Sequence, residues 1–146
     1  MTVSLSESIE VDRPPDVTFA YVTDPARFEE WQTGVVAGHM DDDAPAAVGS
    51  RCQMTRRIGF AERPITAEVT HIDAPRTWGV RGIDGPIRSE VNVTVDPLDE
   101  GRRARVTINL DFSGHGIGKL LVPLIVRPQA RREMRANMSR LKERLE

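Results

Sequence analysis

The sequence predicts an α+β fold: a curved seven-stranded antiparallel sheet wrapped around one long C-terminal helix, with two short helices between strands 1 and 2. Three observations carry this expectation. From Val35 onward, roughly eighty residues repeat short apolar runs separated by clusters of Asp, Pro and Gly, the signature of consecutive strands and turns. A similar alternating run opens the chain at Val3–Val11. The last stretch, Ile117 to Leu145, changes to helical spacing.

In the opening strand Val3, Leu5, Ile9 and Val11 alternate with Ser4, Ser6, Ser8 and Glu10, the period of two of a half-buried strand. Glu7 breaks the rule, because it falls on the apolar face. Pro14-Pro15 ends the strand, and Val17, Phe19, Tyr21 and Val22 follow as a short helix with Pro15 in its first turn. Asp24-Pro25 starts a second helix, an acceptor at the N-cap followed by a residue with no N–H to satisfy. Phe28 and Trp31, three apart, bury one face of it.

Strands are predicted at Val35–Met40, Gly49–Ile58, Ile65–Ile72, Trp78–Ile83, Ile87–Val95 and Ala104–Phe112. Their separators are Asp41-Asp42-Asp43-Ala44-Pro45, Ala74-Pro75-Arg76, Asp84-Gly85-Pro86 and Asp96-Pro97-Leu98-Asp99-Glu100-Gly101. The last two strands are the most regular. Val91, Val93 and Val95 alternate with polar neighbours, as do Val106, Ile108, Leu110 and Phe112. One-sided strands with short links form an antiparallel meander with one buried face.

The terminal helix reads in two halves. Ile117, Leu120, Leu121, Leu124 and Ile125 form one apolar stripe; Met134, Met138, Leu141 and Leu145 form another, turned roughly a quarter turn from the first. Pro128 stands between them, and a kink is expected there. At ~1.5 Å per residue the element spans roughly 40 Å, so it needs a curved partner. A twisted seven-stranded sheet curls enough to hold it, and the two short helices plug one end. This is the helix-grip arrangement, which leaves a cavity between sheet and helix.

Composition fits one folded domain over residues 1–146, with 39% hydrophobic and 29% charged residues. Net charge is −2 but uneven: positions 119–146 hold eight Lys and Arg against three Asp and Glu, and the remainder twelve against nineteen. This is an acidic body with a basic helix face, on which Arg131, Arg132 and Arg135 offer a place for an anionic partner. The pI near 6 and seven aromatics argue against nucleic-acid binding. A single cysteine excludes an internal disulfide and fits a reducing compartment. The N-terminal residues lack a signal-peptide pattern, and the greasiest run is too short to span a bilayer, so a cytoplasmic protein without an integral membrane segment is expected. Nothing in the sequence sets an oligomeric state.

The chain resembles the START-like, or SRPBCC, superfamily, in its bacterial polyketide cyclase/dehydrase branch. The resemblance is carried by Val11-Asp12-Arg13-Pro14-Pro15 followed by Val17 and Phe19, by Asp24-Pro25 with Trp31-Gln32, and by Val48-Gly49-Ser50-Arg51. It continues through the Ala74-Pro75-Arg76 turn and Gly101 with Val106-Thr107 to the terminal Leu141-Lys142-Glu143-Arg144-Leu145-Glu146. The resemblance implies a cavity for a small hydrophobic ligand such as a lipid, polyketide or other polycyclic molecule. Its members include carriers, cyclases or dehydratases, and small growth-inhibiting toxins. Three functions follow as alternatives: binding or carrying of such a ligand, a cyclase/dehydratase-type enzyme, and an interaction or toxin-like protein acting through the basic C-terminal helix.

No metal or cofactor motif is present. His39, His71 and His115 lie far apart, and Asp41-Asp42-Asp43 lacks the rest of a calcium loop. Gly114, Gly116 and Gly118 follow a strand, but no parallel strand comes after them, so a dinucleotide site is not expected. Cys52 shares a strand face with Met54 and Ile58 and reads as a buried, inert thiol. The expected cavity lining is Trp78, Val91, Val93, Val106 and Ile108 from the sheet, with Leu121, Leu124 and Ile125 from the helix. Two inward charges are the catalytic candidates: Glu7, between Leu5 and Ile9, as base, and Arg56, between Met54 and Ile58, as partner of a developing oxyanion. A charge on an apolar face needs a partner, and a Glu7–Arg56 pair is the expectation.

Overall fold

Seven strands pair in the order β1-β7-β6-β5-β4-β3-β2 in the computed structural model of the protein, which describes residues 2–58, 60–84, 87–114 and 127–146. They are β1 (Thr2–Val11), β2 (Val35–Met40), β3 (Arg51–Ile58), β4 (Ala61–Asp73), β5 (Thr77–Gly82), β6 (Ile87–Leu98) and β7 (Arg103–Gly114). Every neighbouring pair is antiparallel. β1 and β2, consecutive in the chain, therefore stand at opposite edges. Residues 12–34 cross between those edges, and they hold the short helices: α1 (Pro15–Val22), a 3-10 turn (Pro25–Arg27) and α2 (Phe28–Trp31).

The predicted alternation sets the two faces. Leu5, Val11, Cys52, Ala67, Val69, Trp78, Val80, Val93, Val95, Ala104, Val106 and Ile108 are buried. Two register shifts bend the sheet, between Val35 and Ala37 and between Val69 and His71. The second resets the alternation, so that Ile72 pairs with Trp78 and packs against the core, where strict period two would turn it outward. β6 runs past Pro97 to Leu98, three residues into the predicted turn. The chain reverses over the second half of that turn, Asp99, Glu100 and Gly101, whose φ values of 50°, 59° and 87° are all left-handed. Arg103 offsets part of that cost through an ion pair with Asp99 at 3.3 Å.

The C-terminal helix, α3, is described over Arg127–Leu145. Ala130, Met134, Met138, Leu141 and Leu145 form its buried stripe, and Leu141 has no exposed surface. It packs on β1 and α2. Its last turn is tied to the end of β1: Arg13 Nε donates to the Leu145 carbonyl and Lys142 Nζ to the Glu10 carbonyl, each at 2.5 Å. The first bond satisfies a terminal carbonyl with a cation, as the helix dipole favours. The predicted first stripe, Ile117 to Ile125, lies outside the described residues, and so does the expected kink, which needs the helix on both sides of Pro128. No described helix is long and apolar enough to cross a membrane.

Two local contacts seat the short helices. Asp24 accepts from the Ala26 N–H at 3.0 Å, capping the 3-10 turn as its sequence predicts. That turn crosses β2 so closely that a Cβ on Gly38 would lie 2.5 Å from the Pro25 carbonyl oxygen. Gly38→Ala is expected to destabilise the protein by about 1–2 kcal/mol through overpacking against backbone, read from the shift of a denaturant midpoint. Between α1 and α2, Tyr21 Oη donates to Glu30 at 2.9 Å. Burial, then the hydrogen bond and charge of Glu30, push the Tyr21 pKa up to about 12 from 10.0. The folded state thus holds the phenol proton more tightly than the unfolded chain. This contribution to stability is complete below pH about 10 and is lost as pH rises toward about 12. Tyr21→Phe is expected to flatten that alkaline loss, seen by comparing urea midpoints of the two proteins on either side of the window.

Candidate functional site

A cavity of about 280 Å³ lies between the inner face of the sheet, the short helices and α3. Its apolar wall begins with Phe28 of α2, edge-on to both Trp31 and Trp78, with ring centroids 6.0 and 6.2 Å apart. Met54, Ile65, Val80, Val91, Val93, Ile108, Leu110 and Phe112 continue it across five strands. Ala130, Met134 and Met138 close it from α3, and Val22 from α1. Apart from Ser89 on β6, the polar groups gather on one side: Gln32 after α2, Arg56 and Arg57 on β3, and Glu133 and Asn137 on α3.

Arg56 is the centre of that polar side. Its Nη2 donates to Gln32 Oε1 at 3.2 Å, and its Nη1 lies 3.9 Å from Glu133. Burial pulls the guanidinium pKa below the ordinary arginine value, and the nearby Glu133 carboxylate acts against that shift. Yet 31% of its side-chain surface is accessible. Both facts hold when the accessible surface faces the cavity rather than bulk water. Asn137 fixes the rim by accepting from the Thr33 N–H at 2.8 Å, which joins α3 to the loop before β2.

Of the predicted lining, Trp78, Val91, Val93 and Ile108 border the cavity. Val106 does not. It is fully buried beside its cross-strand partners Val95 and Ile9, in the packed end of the sheet, whereas the cavity opens farther along β7 at Ile108, Leu110 and Phe112. Alternation assigns a face, but not a depth along the strand. Leu121, Leu124 and Ile125 lie outside the described residues. The paired candidates also part company. Arg56 borders the cavity; Glu7 is not among its lining residues, and its carboxylate reaches Arg135 of α3 at 3.5 Å.

Glu7 and Arg56 do not pair because β1 and β3 stand five strand steps apart in the sheet, on the order of 24 Å at the usual strand spacing. Both strands instead meet the helix that lies between them. Glu133 and Arg135 are two residues apart, about 200° around α3, so one turns to β3 and the other to β1. Two ion pairs of opposite polarity therefore flank the helix. With Arg135 71% exposed, its pair contributes at most about 1 kcal/mol.

Cys52 is buried, and burial, with the Asp41 charge, raises its thiol pKa, the state of an unreactive thiol. His71 bonds Asn92 at 2.7 Å away from the cavity lining. No group of three His, Cys, Asp or Glu able to hold a metal occurs among the described residues. Gln32, Glu133 and Asn137 were not legible as site residues. Leu110 and Phe112 are also absent from the expected lining, although they continue the alternation of Val106 and Ile108 that could have found them.

The family profile described as polyketide cyclase/dehydrase and lipid transport matches residues 2–146. The chain belongs to that family. Its fold is that of the zhuI aromatase/cyclase from Streptomyces sp. R1128, with a TM-score of 0.82 at 11% identity over 99% of this chain and 94% of the other. A START superfamily protein from Mycobacterium smegmatis matches with a TM-score of 0.77 at 14% identity, over 97% and 96% of the two chains. The di-domain aromatase/cyclase BexL of the BE-7585A biosynthetic pathway matches with 0.71 at 14% identity, over 99% of this chain and 50% of the other. At such identities the likeness shows the helix-grip fold. No curated protein matches the sequence.

Proposed function

We propose that residues 1–146 form one domain that binds or carries a small hydrophobic ligand bearing a polar oxygen, in the cavity between sheet and C-terminal helix. The observation that carries this reading is the cavity itself: aromatic and aliphatic walls with one partly desolvated guanidinium on a single side. Apolar pockets with a few converging polar groups are the usual form of small-molecule sites, and about 280 Å³ is close to the lower end of their range. In this reading the walls remove the ligand's hydrocarbon from water, and Arg56 orients its oxygen. The single buried thiol supports a reducing, cytoplasmic setting. Native mass spectrometry of the purified protein tests the proposal: a co-purifying apolar molecule supports it, and failure to take up any apolar fluorescent probe overturns it.

A second reading, cyclase or dehydratase chemistry, is favoured by one observation, the approach of Arg56 and Glu133 at the cavity wall. Arg56 would stabilise negative charge developing on a ligand carbonyl, and Glu133, in place of the expected Glu7, would accept the proton. Glu133→Gln should then abolish turnover of a poly-β-ketone while probe binding persists; binding with no turnover in the unaltered protein removes this reading. Action through the basic helix draws support only from the exposure of Arg131, Arg132 and Arg135, the last already engaged with Glu7.

A further inference from the structure

The turn between β3 and β4 carries a ring that the cavity does not use. Phe60 stands there at 111% of reference accessibility, against 48% for Val17 and 69% for Val48, the other exposed large apolar residues among the described ones. A phenyl ring held wholly in water has much to gain from an apolar neighbour. The chain around it is basic: positions 56–63 hold three Arg and one Glu in a protein of net charge −2. Arg57 pairs across the hairpin with Glu62 at 3.5 Å and is still 63% exposed, and Arg63 is exposed. The described start of α3 lies at the same end, because Glu133 approaches Arg56 to 3.9 Å; its neighbour Arg132 is exposed. The base of the hairpin is also cavity wall, through Arg56, Arg57 and Ile65.

We propose that this hairpin docks the protein on an anionic lipid surface. Phe60 enters the boundary between headgroups and acyl chains, and Arg57, Arg63 and Arg132 meet the lipid phosphates. The cavity wall then adjoins the membrane, from which an apolar ligand can pass without crossing water. Shape favours lipid over an acidic protein. A lone ring on a protruding turn cannot build the about 800 Å² per partner of a specific protein interface, whereas a fluid boundary closes around it. One ring and a few charges give weak, salt-sensitive and reversible attachment, as a carrier that leaves again requires.

Flotation of the full chain with vesicles tests the proposal, comparing phosphatidylcholine alone with phosphatidylcholine containing phosphatidylserine. The expected result is binding to the anionic vesicles only, lost at high salt. Phe60→Ala should weaken it about ten-fold and Arg63→Gln about five-fold. Phe60→Trp should retain it and show a blue-shifted emission on the vesicles. Both sites are exposed, so thermal melts should match the parent protein. No binding to anionic vesicles, or binding unchanged in Phe60→Ala, overturns the proposal. So does retention on polyglutamate without retention on vesicles, which would indicate an acidic protein partner. Docking rests in part on the cavity reading, so uptake of a soluble apolar probe is measured in vesicle-free solution. Its failure overturns the cavity reading and leaves the vesicle result to decide docking.

Discussion

Leu141→Ala is expected to lower the stability of the protein by about 2–5 kcal/mol, the range for truncating a buried leucine. Leu141 has no exposed surface and is the largest of the fully buried side chains among the described residues. It sits about one turn before the end of the only long described helix, in the stripe with Met134, Met138 and Leu145. The surroundings offer little room to collapse into the void. On one side the last turn of α3 is held by Arg13 and Lys142; the sheet behind contains Val11, Val95, Ala104 and Val106, all fully buried. The cost should therefore fall in the upper half of the range. In a domain of this size each kcal/mol moves Tm by roughly 2–4 °C, so a fall of about 7–20 °C is expected. Leu141→Met, which keeps the volume, should cost less than about 1.5 kcal/mol. A denaturant midpoint that barely moves in Leu141→Ala would show that this half of the helix is peripheral to the core.

The part of the fold that could be read from the sequence is the part set by nearest neighbours along the chain. Side-chain alternation found all seven strands, because a sheet with one wet face forces polar residues to every second position. The start of each short helix was equally local, fixed by Pro15 and by Asp24-Pro25. The strand ends were less legible. β6 continues through Pro97 to Leu98, and only the Asp99-Glu100-Gly101 half of the predicted turn makes the reversal, since Asp and Glu do not announce a left-handed conformation as glycine does.

The site was legible only as a face. Trp78, Val91, Val93 and Ile108 follow from alternation, but where the packed core ends and the cavity begins depends on how deep α1 and α3 sit along the strands, which gave Val106 the wrong side of that border. The expected Glu7–Arg56 pair failed for a related reason. Each residue was correctly placed on a face where a bare charge is costly, and each has an opposite charge near it. Those partners lie on α3, two positions apart, and pairing between strands and a helix distant in sequence leaves no periodic trace. Gln32 and Asn137 have no signal at all, since both are polar residues at positions that a surface reading explains equally well.

Arg56→Met is expected to weaken both folding and the binding of an anionic ligand. Replacing a partly desolvated cation by an apolar side chain of similar length removes a desolvation cost but takes the counter-charge from Glu133, 3.9 Å away, so stability should fall by about 1–2 kcal/mol. Glu133→Gln should likewise destabilise by about 1–3 kcal/mol, because the guanidinium at the cavity wall loses its counter-charge. Introducing Arg56→Met into Glu133→Gln should recover that loss, a coupling that a double-mutant cycle measures directly. Binding should respond to the ligand's charge. With an anionic anilinonaphthalene sulfonate probe, Arg56→Met should lose about ten- to a hundred-fold in affinity, the worth of one charge-assisted hydrogen bond in a poorly solvated site. A neutral naphthalene probe, held by Trp78, Val91, Val93 and the Met residues of α3, should bind the variant as well as the parent protein or better. Equal losses for both probes would mean that Arg56 supports the shape of the cavity and does not meet the ligand. Equal retention of both would mean that its guanidinium turns away from the bound molecule, and the ligand's polar group must then be sought at Gln32 or Asn137.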